Sequence, residues 1–290
     1  MGLGLGLCLA FAYSRKVLFM SNPFEILEPT CISFSGGRTS AYMLWRVLQA
    51  HDMSLPDDCV VCFANTGKED EATLKFVHDC ETHWNVPIVW LEYQAAEAVK
   101  DRWKMVTYQT ASRNGEPFEA MVEQKKYLPN TFARFCTQEL KILPIDKYMA
   151  SIGHDEYVTF VGIRADEPRR VAKMKNNKDI KETPLATSGV GVDEVLSFWS
   201  NQPFNLQTVT VNGNSLLSNC DLCFLKKTEH LMGLIQDNPE RAVWWANMEK
   251  KVGARFNQAH PSYVDMLHYN AKQQVLFDPN EESIACFCGD

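Results

Sequence analysis

The chain reads as an α/β protein, a doubly wound parallel sheet followed by a helical, cysteine-containing C-terminal region. Three observations predict it. Cys31–Phe34 is a short apolar strand that runs into a Ser/Gly turn and then a helix, Cys59–Ala64 is a continuous apolar run rich in β-branched residues, and Tyr157–Gly162 repeats that pattern later on. Apolar runs of this length, separated by helical stretches, mark strands covered on both faces, which have no polar side to present. Strand–helix–strand alternation then implies right-handed crossovers, with ligands at the carboxyl ends of the strands.

The first residues, Gly2 to Tyr13, are apolar but too short to cross a bilayer, and their charges, Arg15 and Lys16, follow the apolar run where a secretory signal would have them precede it. Residues 1–19 are therefore expected to be an upstream extension outside the fold. Residues 20–211 are expected to form the α/β domain and residues 212–290 the cysteine-containing region. The chain has 290 residues, 46% apolar and 22% charged, enough for one large domain and an appendage. Its formal charge of −7 argues against a surface that coats nucleic acid generally, although a local basic patch still holds phosphates. Ten cysteines beside 11 methionines, with no secretory signal, suit a reducing cytoplasmic compartment, where the thiols serve as core residues and metal ligands.

After the first strand, Ser35-Gly36-Gly37-Arg38-Thr39-Ser40 has the grammar of a phosphate loop. Adjacent glycines let the backbone approach an oxyanion, Ser35, Thr39 and Ser40 offer hydroxyls, and a helix with Tyr42, Leu44, Val47 and Leu48 on one face aims its first amides at the anion. An ordinary strand-to-helix turn would look the same. The second strand is bounded by Pro56-Asp57-Asp58 and Asn65-Thr66-Gly67. Its Cys59 and Cys62 stand three apart and so point to opposite faces, as core residues do and chelating pairs do not. A helix over Glu69–Trp84 (Leu74, Val77, Cys80) and a strand over Pro87–Glu92 follow.

From Lys100 to Arg134 the periodicity weakens, and Arg102, Lys104, Arg113, Lys125, Lys126 and Arg134 are scattered among Tyr108, Phe118, Tyr127 and Phe132. A substrate-side lid and a solvated surface both account for this. The strand ending at Gly162 is followed by Arg164, Arg169 and Arg170, guanidinium groups placed to fork onto phosphate or sulfate, or else to pair with Asp166 and Glu167. A helix over Ser188–Asn201 carries Trp199 as a core residue. Cys220-Asp221-Leu222-Cys223 then opens a predicted helix, Phe224–Gln236, with both sulfurs able to point one way; helices over Pro239–Lys251 and His260–Lys272 pack on it, with Trp244 and Trp245 structural.

These pieces occur in an order that resembles the phosphoadenosine phosphosulfate (PAPS) reductase family of the PP-loop, or adenine-nucleotide alpha-hydrolase-like, superfamily. The likeness spans residues 25–230 and rests on the Ser35–Ser40 loop, Phe63–Glu69, Arg134-Phe135-Cys136 through Lys141 and Pro144, and Val161–Arg170. It implies a PP-loop, HUP-like fold and an adenine nucleotide, ATP or PAPS, with Mg2+ as its companion ion. The nucleotide would be held by Ser33, Ser35, Gly36, Gly37, Arg38, Thr39, Ser40, Asn65, Thr66, Gly67, Glu69, Arg134, Gly162, Arg164, Arg169 and Arg170. The activity implied is sulfur chemistry, either reduction of PAPS or adenylyl sulfate to sulfite, or ATP-dependent sulfur transfer to an acceptor such as a nucleic acid, with a thiol reductant or sulfur-donor protein as partner. Thr39 stands where ATP-cleaving relatives carry Asp and favours the sulfonucleotide; the paired glycines and Ser40 favour ATP.

The adenylyl-sulfate branch of that family holds a [4Fe–4S] cluster on a Cys-Cys pair and a CxxC. Here Phe135 replaces the first cysteine, leaving Cys136, Cys220 and Cys223, and the tail offers Cys288 as the fourth ligand. Four thiolates suit tetrahedral zinc as well. Related reductases also place a nucleophilic cysteine near the C-terminus, so Cys286 or Cys288, with Lys141 beside the chemistry, are the candidate catalytic residues. A nucleotide-binding or regulatory protein without turnover, its cysteines on structural zinc, is the alternative from another class.

Overall fold

The computed structural model describes residues 22–175, 181–208, 210–211, 214–217 and 220–270. Six strands form one sheet: β1 (Thr30–Ser33), β2 (Cys59–Asn65), β3 (Ile88–Glu92), β4 (Lys104–Val106), β5 (Val158–Val161) and β6 (Lys181–Glu182), in the order β4-β3-β2-β1-β5-β6. All neighbours are parallel except β4, which runs antiparallel along the edge of β3. The chain thus starts in the middle, winds outward through β2 and β3, and returns to the other side of β1 with β5. The strand order reverses between β1 and β5, the place in an open α/β sheet where the loops after two neighbouring strands diverge and leave a crevice.

Helices cover both faces. On one side α1 (Arg38–Ala50), α2 (Glu71–His83) and α6 (Val192–Ser200) pack on Ile32, Val61, Phe63 and Phe160. The four residues predicted for the inner face of α1 are all buried; Leu44, Val47 and Leu48 contribute about 1.5–3 kcal/mol each by leaving water. On the opposite side Ile145 and Met149 of α4 (Leu143–Ser151) cover Cys31, Cys62 and Leu91. Cys59 packs instead toward the first face, so the two cysteines of the β2 pair do part to opposite sides. Cys31 and Cys62 meet on neighbouring strands, and that hydrogen bond, followed by burial, pushes the Cys31 thiol well above its ordinary range.

The weakly periodic stretch 100–134 contains β4 and α3 (Glu116–Lys125), a helix bracketed by left-handed residues, Gly115 and Lys126, and too short to give a strong apolar repeat. Four of its cations are tied down: Arg102 donates to Ala96 O (2.9 Å), and Lys104, Arg113 and Lys125 pair with Glu92 (3.2 Å), Glu71 (2.6 Å) and Glu139 (2.5 Å). Before α4 the chain makes one turn, Phe135–Thr137, and a wider π-helical turn, Gln138–Ile142, of the kind that interrupts helices at functional sites.

A second core joins α3 and the 135–142 turns to the C-terminal helices α7 (Thr228–Asp237), α8 (Glu240–Val252) and α9 (Tyr263–Asn270), after α5 (Pro168–Lys175) has run beside β6. The C-terminal region therefore shares its core with residues well before 212. The helix expected to open at Phe224 begins at Thr228. Residues 221–226 make successive turns, with Cys223 N–H donating to Cys220 O (3.2 Å) and Lys226 N–H to Cys223 O (2.9 Å), so the CxxC is held by its own backbone and not by a helix start. Among the described residues no helix is long and apolar enough to cross a membrane. The expected extension 1–19 and the tail cysteines Cys286 and Cys288 lie outside the described residues.

Candidate functional site

Two groups of predicted residues lie at the carboxyl ends of the strands. The first surrounds the loop between β1 and α1. Gly36 adopts φ +81°, and a Cβ there would sit 2.7 Å from Thr73 Cγ2 and 3.2 Å from Phe63 and Val77. This glycine is demanded by α2 pressing on the loop. A bulky residue here would disturb the fold itself, beside any effect on the approach of an anion. Gly37 caps α1 in an extended conformation and has no side chain to offer the first amides. The hydroxyls are wired to one another: Ser35 Oγ and Ser40 Oγ are 2.9 Å apart, Ser40 Oγ accepts from Ser35 N–H (3.3 Å) and donates to Gly37 O (3.1 Å).

The strand on the other side of the switch point presses on the same loop. A Cβ on Gly162 would lie 2.7 Å from Ser40 Cα, so only glycine lets β5 run into its turn so close to α1. Arg164, buried, donates from Nη1 to Thr39 Oγ1 (3.1 Å) and from Nε to Asp166 (2.9 Å), while Glu167 accepts from Arg164 N–H (3.0 Å) and pairs with Arg170. Arg170 is buried with Nε lacking a hydrogen-bond partner among the described residues, and Arg169 is exposed. The predicted arginine trio is thus split. Arg164 touches the loop, Arg170 stands behind it on Glu167, and Arg169 faces solvent. Arg38 also departs from expectation: its guanidinium donates to Asn205 Oδ1 (2.8 Å) and Leu206 O (2.6 Å), anchoring the segment after α6. Arg134 donates to Thr131 O (3.3 Å) within its own turn.

The second group is built on the turn after β2. Both amide hydrogens of fully buried Asn65 are taken up, by Glu92 Oε1 (2.7 Å) and Ser112 O (2.8 Å), and its Oδ1 accepts from Gly67 N–H (3.0 Å). Asn65 shapes the turn. Gly67, at φ +75°, leaves room for Gly115 and Pro117. Glu69 Oε2 accepts from both Thr66 N–H and Thr66 Oγ1, each at 2.8 Å, while Oε1 lies 3.7 Å from Lys141 Nζ and is a buried oxygen with no hydrogen-bond partner among the described residues.

The CxxC turn is stitched onto this one. Glu69 and Cys220 form an antiparallel bridge, Asp221 N–H donates to Lys68 O (2.7 Å), Lys68 Nζ and Asp221 Oδ2 form a buried ion pair (3.1 Å), and Thr66 Oγ1 is 3.5 Å from Cys220 Sγ. Asp221 Oδ1 accepts from Leu222 N–H (2.7 Å) and Trp245 Nε1 (2.9 Å), and Lys68 Nζ lies over the Trp244 ring at 5.1 Å. Cys136, Cys220 and Cys223 line one pocket of about 400 Å³, counting its open mouth, together with Thr66, Lys141 and Trp245. The resemblance-derived ligands converge there, from parts of the chain 84 and 87 positions apart (220 minus 136 and 223 minus 136).

Burial holds the Cys220 thiol well above its usual range, the charge of Glu69 and the Cys136 sulfur push the same way, and Lys141 and the Thr66 hydroxyl oppose them. As built, the site keeps Cys220 protonated; a cation arriving in the pocket would reverse that balance, since a coordinating thiol gives up its proton. Among the described residues no three His, Cys, Asp or Glu side chains close on a single ion's position. Sequence reading named Thr66, Glu69, Cys136, Lys141, Cys220 and Cys223 but gave no role to Lys68 or Asp221. Their one signal is an opposite charge inside each of two otherwise uncharged cores, Thr-Gly-Lys and Cys-Asp-Leu-Cys.

No family model matches the chain. It is 24% identical over 280 residues, 82% of this chain and 79% of the other, to an uncharacterized 37.8 kDa protein in the gpa 5′ region of Escherichia phage 186. It is 32% identical over 166 residues to an uncharacterized protein of Methanocaldococcus jannaschii, covering 56% of this chain and 29% of that longer protein. Over 207 residues, 69% of this chain and 67% of its relative, it is 33% identical to the uncharacterized nin region protein ORF290 of Escherichia phage lambda. On that shared length and identity, the chain belongs to the family of the phage lambda nin region protein ORF290.

Proposed function

We propose that this protein is an enzyme of the PAPS reductase type, which binds an adenylyl nucleotide at the Ser35–Ser40 loop and carries out sulfur chemistry beside it. The observation that carries this reading is the joining of two motifs. The Asn65–Glu69 turn, at the carboxyl end of β2 beside the loop, is bonded into the Cys220–Cys223 turn, with Cys136 and Lys141 on the same pocket. A nucleotide on the loop would meet the uncapped amides at the start of α1 and the Arg164 guanidinium, and its far end would point toward the thiols.

The pocket fits an iron–sulfur cluster better than a single zinc ion. Three thiols share it without closing on one point, and Phe118, Leu140, Phe224, Leu225 and Trp245 give it a mostly apolar lining of the kind that shields a cluster from solvent. Cys136, Cys220 and Cys223 would hold the cluster with Cys288 as fourth ligand, and a bound cluster would supply electron density and a fixed charge beside the reacting sulfur. The chain's own residues do the rest. Arg164 and the loop amides hold oxyanions, Lys141 offers a cation within the pocket, and Lys68 and Asp221 fix the turn that carries the thiols.

The favoured reaction is sulfonucleotide reduction. A tail thiolate, by the resemblance Cys286 or else Cys288 where it is not the cluster's fourth ligand, attacks the sulfuryl sulfur, the sulfur–oxygen bond to the nucleotide breaks, and a second thiol releases sulfite by forming a disulfide. Thr39, neutral and bonded to Arg164, keeps the mouth free of the carboxylate that ATP-cleaving relatives carry. The bracketing of two glycines by Ser35 and Ser40 favours a second form, ATP-dependent sulfur transfer to an acceptor such as a nucleic acid. Anaerobic incubation with PAPS, adenylyl sulfate or ATP, scoring sulfite against pyrophosphate and measuring iron, sulfide and zinc, separates these forms. Zinc without sulfide and no product from any nucleotide would return the protein to the non-catalytic, nucleotide-binding alternative.

A further inference from the structure

The CxxC turn carries a buried charge at its centre, between its two sulfurs, and that charge is matched on the turn after β2. Asp221 is buried, and each of its carboxylate oxygens is used: Oδ1 by Leu222 N–H and Trp245 Nε1, Oδ2 by Lys68 Nζ. Lys68 is equally buried; its ammonium sits between Asp221 and the Trp244 ring, and its carbonyl accepts from Asp221 N–H. A surface pair of this kind would contribute little, but a buried pair is held by low dielectric and cannot be broken without leaving a charge stranded. We propose that Lys68 and Asp221 act as a positioning pair: they lock the CxxC turn to the Thr66–Glu69 turn, so that Cys220 and Cys223 are presented at the carboxyl end of β2 and shielded there as one unit.

Cys220 and Cys223 are nearly inaccessible although they lie in a turn, and turns shed solvent only when something covers them. What covers this one is the Glu69–Cys220 bridge, the Lys68–Asp221 pair and the two tryptophans of α8. The pair is the sole charged tie of the CxxC turn to the Thr66–Glu69 turn among the described salt bridges. Its loss should free the turn while leaving the distant thiols, Cys31 and Cys62 on the sheet and Cys80 on α2, in their own cores.

The test is alkylation of the reduced, full-length protein by iodoacetamide after anaerobic treatment with a chelator, followed cysteine by cysteine by mass spectrometry. Lys68→Met and Asp221→Asn should each speed modification of Cys220 and Cys223 tenfold or more, with Cys31, Cys62 and Cys80 still protected. Asp221→Asn keeps an oxygen acceptor for Leu222 and Trp245, so its effect reports the charge. The double variant, Lys68→Met with Asp221→Asn, should be no faster than either single, because the pair acts as a unit. Lys68→Arg should restore most of the protection. Parent-like rates at Cys220 and Cys223 in both singles would overturn the proposal, and so would equal exposure of Cys31, Cys62 and Cys80, which would mean general unfolding. Only a further arm rests on the nucleotide reading: saturating ATP or PAPS should slow Cys220 alkylation in the parent and not in Lys68→Met. If the variants expose the thiols but neither nucleotide affects the parent, the positioning role stands and the nucleotide reading falls.

Discussion

The phosphate-loop side and the thiol side of the site are built by different physics. On the loop side the ties are short and mostly neutral: hydroxyl to hydroxyl between Ser35 and Ser40, a guanidinium to a threonine, and two glycines, Gly36 and Gly162, whose missing side chains let α2 and β5 close in. On the thiol side four stretches, 65–69, 136–141, 220–223 and 244–245, are held by buried charge, Lys68 on Asp221 and Lys141 near Glu69. Both sides join distant segments, Gly162 and Arg164 meeting Ser40 and Thr39 as Lys68 meets Asp221. Buried charge needs partners from far along the chain, and it makes the assembly intolerant of losing either one.

The sharpest way to break the comparison is to remove one charge from the thiol side. Asp221→Ala strands the Lys68 ammonium and takes the acceptor from Leu222 N–H and Trp245 Nε1, a change expected to cost about 3–5 kcal/mol. Chemical denaturation of the reduced protein checks it; a loss under 1 kcal/mol would mean that water reaches the pair. On the loop side the corresponding loss comes from adding a methyl group. Gly36→Ala puts a Cβ against Thr73 and imposes a positive φ on alanine, and Gly162→Ala drives one into the Ser40 backbone, each costing roughly 1–3 kcal/mol through overpacking. Gly191→Ala, with nothing within 4 Å of the added carbon, carries no packing cost and should lose only roughly 0.5–1 kcal/mol, because Gly191 is the N-cap of α6, where alanine is less favourable than glycine. Equal midpoints for all three glycine variants would remove the packing argument.

A subtler difference concerns binding. Arg164 touches the loop through Thr39 whereas Arg169 faces solvent, so Arg164→Ala should weaken ATP or PAPS binding about tenfold or more, the loss of one charge-assisted bond of roughly 1.5–3 kcal/mol. Arg169→Ala should be nearly silent. Calorimetric titration of both variants decides it, and equal effects, or none, would return the arginine cluster to ordinary pairing with Asp166 and Glu167.

Much of the loop side was legible in the sequence because its signals are contiguous. The apolar strand, the Ser-Gly-Gly turn and the helical face of Tyr42 to Leu48 lie within 20 residues, and the opposed faces of Cys59 and Cys62 follow from strand period alone. What did not show was the direction of long side chains. Arg38 sits in the loop by sequence yet reaches Asn205, because a guanidinium on a long stem follows whichever carbonyl the fold brings near. The thiol side was legible as a list of cysteines and not as an assembly. The start of α7 at Thr228 shows why: in the turns before it Lys226 is bonded through its N–H and its Nζ to the carbonyls of Cys223 and Cys220, and Asp221 accepts from Trp245 of α8, information carried by no local period.

The smallest effect separates two carboxylates near these regions by the sign of their pH dependence. Glu249 of α8 accepts from Phe256 N–H (3.2 Å) and Tyr263 N–H (2.9 Å), and the Tyr263 hydroxyl donates to Leu222 O (2.6 Å), so this carboxylate buttresses the CxxC turn from behind. Burial raises its pKa above the ordinary 4.5, and the two backbone N–H groups only partly offset that. The native state therefore holds this proton more tightly than the unfolded chain does. Its contribution to stability is fully present below the ordinary value and is lost as pH rises from there through the raised native value. Glu71, in the first turn of α2, behaves oppositely: its bond from Arg113 lowers its pKa, so its contribution is present above the ordinary value and is lost as pH falls. Denaturation midpoints of the parent and of Glu249→Gln should accordingly diverge in the parent's favour on acidification from pH 8 toward the ordinary glutamate range, about 4.3. The parent's advantage over Glu71→Gln should hold over that interval and shrink only on further acidification through the lowered native value, by a small amount because the Glu71 side chain is more than half exposed and its pair is screened by solvent. A parent advantage over Glu249→Gln that is flat or falls with acidification would mean that the backbone N–H groups outweigh burial at that carboxylate, and that the support behind the CxxC turn is anionic at every pH where the protein folds.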